Sequence, residues 1–245
     1  MSDMRRSLVW PSLFTLVAFT ILMSLGFWQL ERLRWKEALI ARIEARIHAT
    51  PVPLPPAASW AQMKAQDYDY LPVRVEGVLD AKREALIFRG VGKMSAKDMA
   101  QPGYWVMVPL TTDDGGEILI NRGFVPLARK EPATRPDPQR GQRVTLTGLL
   151  RAPEERGFFT PADDAKTGQW FTRDPRALAT ALQLTNAAPF SLDEAAHSAA
   201  PGLPAGGATV FEIPNNHLSY AGTWFGLAAT LLGVFAVMVM RRRRG

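Results

Sequence analysis

Soft metal ligands are scarce in this 245-residue chain. It has no cysteine and only His48, His197 and His217. That removes disulfides, thiolate metal sites, CxxC redox chemistry and copper delivery through paired cysteines. It also argues against a zinc site built from several imidazoles. The histidine whose place suggests chemistry is His217, at the mouth of the uncharged run Leu218 to Met240. At ~100° per helical residue it shares a face with Tyr220, Ala221 and Trp224. A neutral imidazole is a common axial ligand of haem iron. Tyr220 and Trp224 beside it could stack on a porphyrin edge, and an amphipathic macrocycle partitions to the membrane boundary. Arg32 and Arg34, if the two apolar helices pack, could pair with propionates. The plainer account is a loop histidine beside interface-belt aromatics, and this segment alone favours it.

Other constellations are weaker. Asp113/Asp114 and Asp163/Asp164 sit in turn-like sequence and read as solvated loop residues rather than as a metal or acid–base pair. His197 lies in an Ala/Ser-rich loop, and no Ser/His/Asp set can be assembled. Arg122, in NRGFVP, reads equally as an anion-binding residue or as part of a bulge with Gly123 at positive φ. No catalytic residue is expected, and the chain does not read as an enzyme.

The elements that must position His217 are two apolar runs. Leu218 to Met240 is long enough to cross a hydrocarbon core of ~30 Å at ~1.5 Å per residue. Leu8 to Leu30 is likewise uncharged, with Trp10 and Trp28 towards its ends. Its length, and the lack of a small-x-small cleavage site, favour a retained signal anchor over a cleaved peptide. Gly222, Gly226, Thr230 and Gly233 form a small-residue stripe on the second run, opposite His217, that would let another helix approach. The net charge of +6 is concentrated beside these runs. It fits topology and lipid headgroups better than nucleic acid. Arg5, Arg6 and Arg241 to Arg244 place both termini in the cytoplasm. Arg32, Arg34 and Lys36 vote the other way, but the rule weakens before a long translocated segment.

The expected order is a cytoplasmic start (1–7), a first span (8–30), an amphipathic juxtamembrane helix (31–49), a β-rich periplasmic domain with its linker (50–217), a second span (218–240) and a basic cytoplasmic tail (241–245). TPVPLPP, Thr50 to Pro56, predicts a stiff extended linker. Leu71 to Leu79 alternates, with Val73 and Val75 inward and Arg74 and Glu76 outward. Ala85–Phe88, Tyr104–Thr112, Glu117–Pro126, Arg143–Leu150, Pro189–Asp193 and Thr209–Ile213 predict further strands, with a hairpin around Asp113–Gly116. Lys130 to Gly141 reads as a proline-rich surface loop, and Asp174–Pro175 as a helix start. The fold class is thus two transmembrane α-helices flanking a mainly β, α+β domain, a small barrel or sandwich.

With these residues in view, the chain resembles the surfeit locus protein 1 family of cytochrome c oxidase assembly factors. The resemblance is carried by Gly26–Ile40 (GFWQLERLRWKEALI), Val73–Asp80, Ile118–Pro126, Gln169–Ala179 and Pro214–Ala228 (PNNHLSYAGTWFGLA). It implies a membrane-anchored factor acting as haem a enters the catalytic subunit of a haem–copper oxidase, complex IV of the respiratory chain. Haem a would be a transient cargo, with His217 as the iron ligand and Tyr220, Trp224 and Arg32 beside it. The implied partners are the catalytic subunit, haem a synthase or other assembly factors, and membrane lipid. Trp28, Gln29, Arg32, Trp35, Asn121, Arg122 and Gly123 match family signature positions without an assigned role. The short start, without an Arg- and Ser-rich transit peptide, implies a bacterial inner-membrane member. A scaffold that steadies the nascent subunit without touching haem is the alternative.

Overall fold

The computed structural model describes residues 2–92, 101–196, 202, 204–206 and 215–244. The chain divides into two compact units, Met1–Ile43 with Glu212–Gly245, and Glu44–Phe211.

The first unit is made from α1 (Ser2–Ile47), up to Ile43, and α4 (His217–Arg244), both long and apolar enough to cross a membrane. The expected 8–30 span and the 31–49 segment as far as Ile47 belong to one unbroken helix. The two helices run antiparallel. As α1 goes from Gln29 back to Gly26, its partners on α4 advance from His217 to Phe225. Thr15, Leu22, Gly26 and Gln29, spaced by seven, four and three, lie on the sheltered side of α1. Ala221 and Ala228, one heptad apart, are each buried on α4. This is the seam of a left-handed pair, built from small residues because apolar burial gives no drive between helices in lipid. Gly26 lies against the Phe225 ring, where a Cβ would overlap it. Phe225 also meets Phe27 edge-on, with centroids 5.5 Å apart. The glycine stripe is not the packing face. A Cβ built on Gly222, Gly226 or Gly233 meets nothing within 4 Å.

The second unit is a β barrel. Its strands are β1 (Val52–Pro53), β2 (Pro72–Leu79), β3 (Ala85–Gly92), β4 (Gln101–Thr112), β5 (Glu117–Pro126), β6 (Arg143–Arg151) and β7 (Ala187–Glu194). The sheet order is β1-β2-β6-β7-β5-β4-β3, and a further pairing of β2 with β4 closes β2, β6, β7, β5 and β4 into a ring. Closure removes the exposed edges of five strands. It demands close approach at Gly77, where a side chain would strike the Thr111 carbonyl. β5 and β7 run parallel, and every other pairing in the ring is antiparallel. Alternating residues fill the interior, including Val73, Val75, Leu79, Val108, Ile120, Leu146, Phe190 and Leu192, with Trp60 and Tyr68 packed among them. Ile87, Met107, Leu119, Trp170 and Leu178 form a second cluster outside the barrel, beneath α3 (Pro175–Ala181). β5 is therefore covered on both faces, which is why it reads as a continuous apolar run rather than an alternating one. Asp174 caps α3 through the Arg176 and Ala177 amides, with Pro175 in the first turn.

Two expectations need correction, and one element was not expected. The proline-rich linker is extended as read, but Val52 and Pro53 pair with β2, and Trp60 behind it enters the core. The loop 130–141 is not merely a surface loop, since Arg135 and Asp137 are nearly buried within the domain. A short helix, α2 (Ala65–Tyr68), precedes β2 and was not read from the sequence. The Thr209–Ile213 strand and His197 lie outside the described residues.

Candidate functional site

Two polar constellations stand out. The first follows from the pairing of β5 with β7, which sets Asn121 beside Asp193. Side chains alternate along a strand, so Asn121 and Asp193 share one face, and Arg122 and Glu194 the other. Asp193 accepts from Asn121 Nδ2 at 2.9 Å, from Arg173 at 3.0 and 3.2 Å and from Arg151 at 3.2 Å. Arg151 lies over the Tyr70 ring, and Arg89 stacks on Trp105 while it holds Glu154 through two bonds. On the other face Arg122 donates to Glu194, to both Asp137 oxygens and to Gln139 Oε1. Burial pushes the Glu194 carboxyl up to about 7; Arg122 opposes the rise and Asp137 adds to it. Glu194 Oε1 has no hydrogen-bond partner among the described residues.

Arg122 thus resolves in favour of the bulge. Val106 of β4 stands opposite both Arg122 and Gly123 of β5, where the register shifts, and Gly123 has φ +121°. A Cβ there would run into the backbone of Ala205. The arginine is buried and faces carboxylates of its own chain, so it braces the barrel rather than binding an outside anion. The paired acids are also structural. Asp163 accepts from the Phe171 and Thr172 amides and from Arg156. Asp114 holds the Ala57 amide, and Asp113 pairs with Arg143. Asp163 is half-buried rather than solvated. No group of three or more His, Asp or Glu able to hold a metal ion occurs among the described residues.

The second constellation is at the junction of α1 and α4. His217 is the first residue of α4 and is half-buried. Its Nδ1 lies 2.7 Å from Gln29 Oε1. An amide oxygen can only accept, so the neutral tautomer that makes this hydrogen bond is the one with its proton on Nδ1 and its lone pair on Nε2. Nε2 has no hydrogen-bond partner among the described residues. Tyr220, one turn on, is exposed, and Trp224 is half-buried. Arg32 follows Gln29 by three residues on α1, and its exposed guanidinium lies 4.1 Å from the centre of the Trp35 ring. Of the predicted site residues, His217, Tyr220, Trp224 and Arg32 therefore all belong to the helix pair. The residue that sequence reasoning left without a role is Gln29. Its signal was its spacing from Gly26 on one face of a span.

A closed barrel carried by a two-helix membrane anchor, with one imidazole presented at the head of the second span, defines the class: a membrane protein with a mainly β domain. The SURF1 family profile matches residues 16–229. Surfeit locus protein 1 of Homo sapiens is 37% identical over 217 residues, 84% of this chain and 69% of that protein. Surfeit locus protein 1 of Mus musculus is 36% identical over 233 residues, 89% of this chain and 72% of that protein. A SURF1-like protein of Caenorhabditis elegans is 31% identical over 239 residues, 91% of this chain and 72% of that protein. The chain belongs to the SURF1 family.

Proposed function

We propose that this protein is an assembly factor for a haem–copper cytochrome c oxidase, which binds haem a and assists its insertion into the catalytic subunit. The observation that carries the reading is the His217 ring, half-buried at the head of α4, with Nδ1 engaged by Gln29 and no hydrogen bond to Nε2 among the described residues. Family membership supports the oxidase as client. Imidazole nitrogen suits haem iron, Tyr220 and Trp224 suit the ring edge, and Arg32 suits a propionate. A carrier must release its cargo, and a single ligand at a membrane mouth gives a grip that can be reversed. We place the barrel in the periplasm of a bacterial inner membrane, with both termini cytoplasmic, on the arginine clusters at the two ends. The protein is purified from cells that make haem a, and its pigment is extracted and identified. Wild type is expected to carry haem a and His217→Ala to lose it; equal occupancy and an unchanged spectrum in the variant would remove the ligand assignment.

One observation favours a second reading, a scaffold that holds the nascent subunit without touching haem. The Gly222/Gly226/Gly233 face is open. On that reading Gly226→Leu lowers oxidase activity in cells more than His217→Ala does. The haem reading expects the reverse order.

A further inference from the structure

We propose that Gln29 is a positioning residue for the His217 ligand. It holds the imidazole in the Nδ1–H form from the neighbouring helix, so that Nε2 is always the nitrogen offered to iron. This rests on the reading of His217 as an iron ligand and adds to it a second residue with a separate, measurable job.

The argument begins with Gly26. Having no side chain, it admits the Phe225 ring into the seam and lets α1 and α4 approach closely. Gln29 follows by three residues on the same side of α1, so its amide meets the first residue of α4. The contact is 2.7 Å, half-buried, and joins residues 188 apart in sequence. A free imidazole exchanges its proton between two nitrogens and turns about its side-chain bonds. A ring that donates Nδ1–H to a fixed oxygen does neither. An oxygen accepting that proton also makes the other nitrogen a better donor to a metal. Such outer partners are commonly worth ~10–100-fold in metal affinity. Glutamine suits a carrier better than a carboxylate, because a neutral acceptor orients the ring without the full increase in ligand strength that slows release.

The test uses the full-length protein in detergent micelles, with ¹⁵N-labelled histidine and haem a as the added probe. His217 signals are assigned by their loss in His217→Ala. Without haem, wild type is expected to show Nδ1 protonated and Nε2 bare. Gln29→Leu, which removes the acceptor, is expected to move the proton towards Nε2 and to weaken haem a binding ~10–100-fold. Gln29→Glu keeps the acceptor. It is expected to retain the Nδ1–H form, bind at least as tightly and shift the haem spectrum and midpoint potential to values typical of a stronger ligand. If Gln29→Leu keeps the wild-type tautomer and binds haem a within twofold, while His217→Ala abolishes binding, Gln29 only packs and the ligand reading stands. A weakened Gln29→Leu whose loss Gln29→Glu does not restore also overturns the proposal, since a disturbed helix contact would then explain it. If His217→Ala binds haem a as wild type does, the ligand reading itself is lost, and the positioning role goes with it.

Discussion

In the barrel, Asp193 meets Asn121, Arg151 and Arg173, and Arg122 meets Asp137, Gln139 and Glu194. In the helix pair, His217 meets Gln29 and, among the described residues, keeps a bare ring nitrogen. The two sets answer different needs. Where β5 and β7 pair, buried acids are matched with arginines across neighbouring strands and loops. At the helix junction the ring is held by Gln29 on one side and, among the described residues, makes no hydrogen bond on the other. What separates them is charge pairing: the barrel sets match buried acids with arginines, whereas His217 meets an uncharged amide.

The sharpest break of this contrast is Asp193→Ala. It removes the carboxylate that the buried Arg173 shares with Arg151, which keeps its bond to Asp69, and the expected cost is ~3–5 kcal/mol. Denaturant unfolding of the solubilised protein, followed by tryptophan fluorescence, measures it. His217→Ala serves as the reference.

Glu194→Gln sharpens the same side of the comparison through pH. An unfolded Glu194 would titrate near 4.5, and the folded one at about 7. Below about 4.5 both states hold the proton and its stabilising contribution is complete. Between 4.5 and about 7 the folded state keeps a proton that the unfolded state gives up. Rising pH therefore favours unfolding across that window, and the loss is complete above it. At ~1.4 kcal/mol per pKa unit the loss reaches roughly 3 kcal/mol. Glu194→Gln, which cannot ionise, is expected to have a flatter stability profile from pH 4.5 to 8 than wild type. Parallel profiles would show that Arg122 holds the carboxylate ionised in the fold.

On the helix side, Gly26→Leu drives a side chain into Phe225 and is expected to destabilise the α1–α4 pair by ~1–3 kcal/mol. Gly226→Leu, on the open face, leaves that pair intact. Crosslinking between cysteines introduced at Gln29 and His217, whose side chains meet in the wild type, compares the two in this cysteine-free chain. The smallest effect belongs to His217→Ala, with an expected change in unfolding free energy of the barrel within ~0.5 kcal/mol. A large loss there would make His217 a brace after all, and erase the contrast.

Much of the scaffold was legible from residue order. The alternation of Val73 and Val75 with Arg74 and Glu76, the turn at Asp113–Gly116 and the Asp174–Pro175 helix start all rest on neighbours a few residues away. What was hidden depends on distant partners. Closure of β2 on β4 is a long-range pairing with no local signature. Asp137 sits in a proline-rich stretch that resembles solvated loop, and only Arg122 arriving from β5 buries it. The glycine stripe drew attention as a packing face, but the α1 seam uses Ala221 and Ala228 instead, because Gly26 supplies the gap from the other helix. His217 was visible by its type and place. Gln29 was not, because a neutral amide gains its meaning only from the ring it faces.

The bond from Gln29 to His217 has one more consequence, which lies in thermodynamic reciprocity. A ligand shared between two rods links what it grips to how far apart the rods stand. If His217 grips haem iron as proposed, loading must tighten the hairpin by as much as the hairpin's closeness favours loading. On that proposal, prising α1 from α4 would loosen the hold, and a client protein wedging itself between them would release the haem without competing for the iron at all.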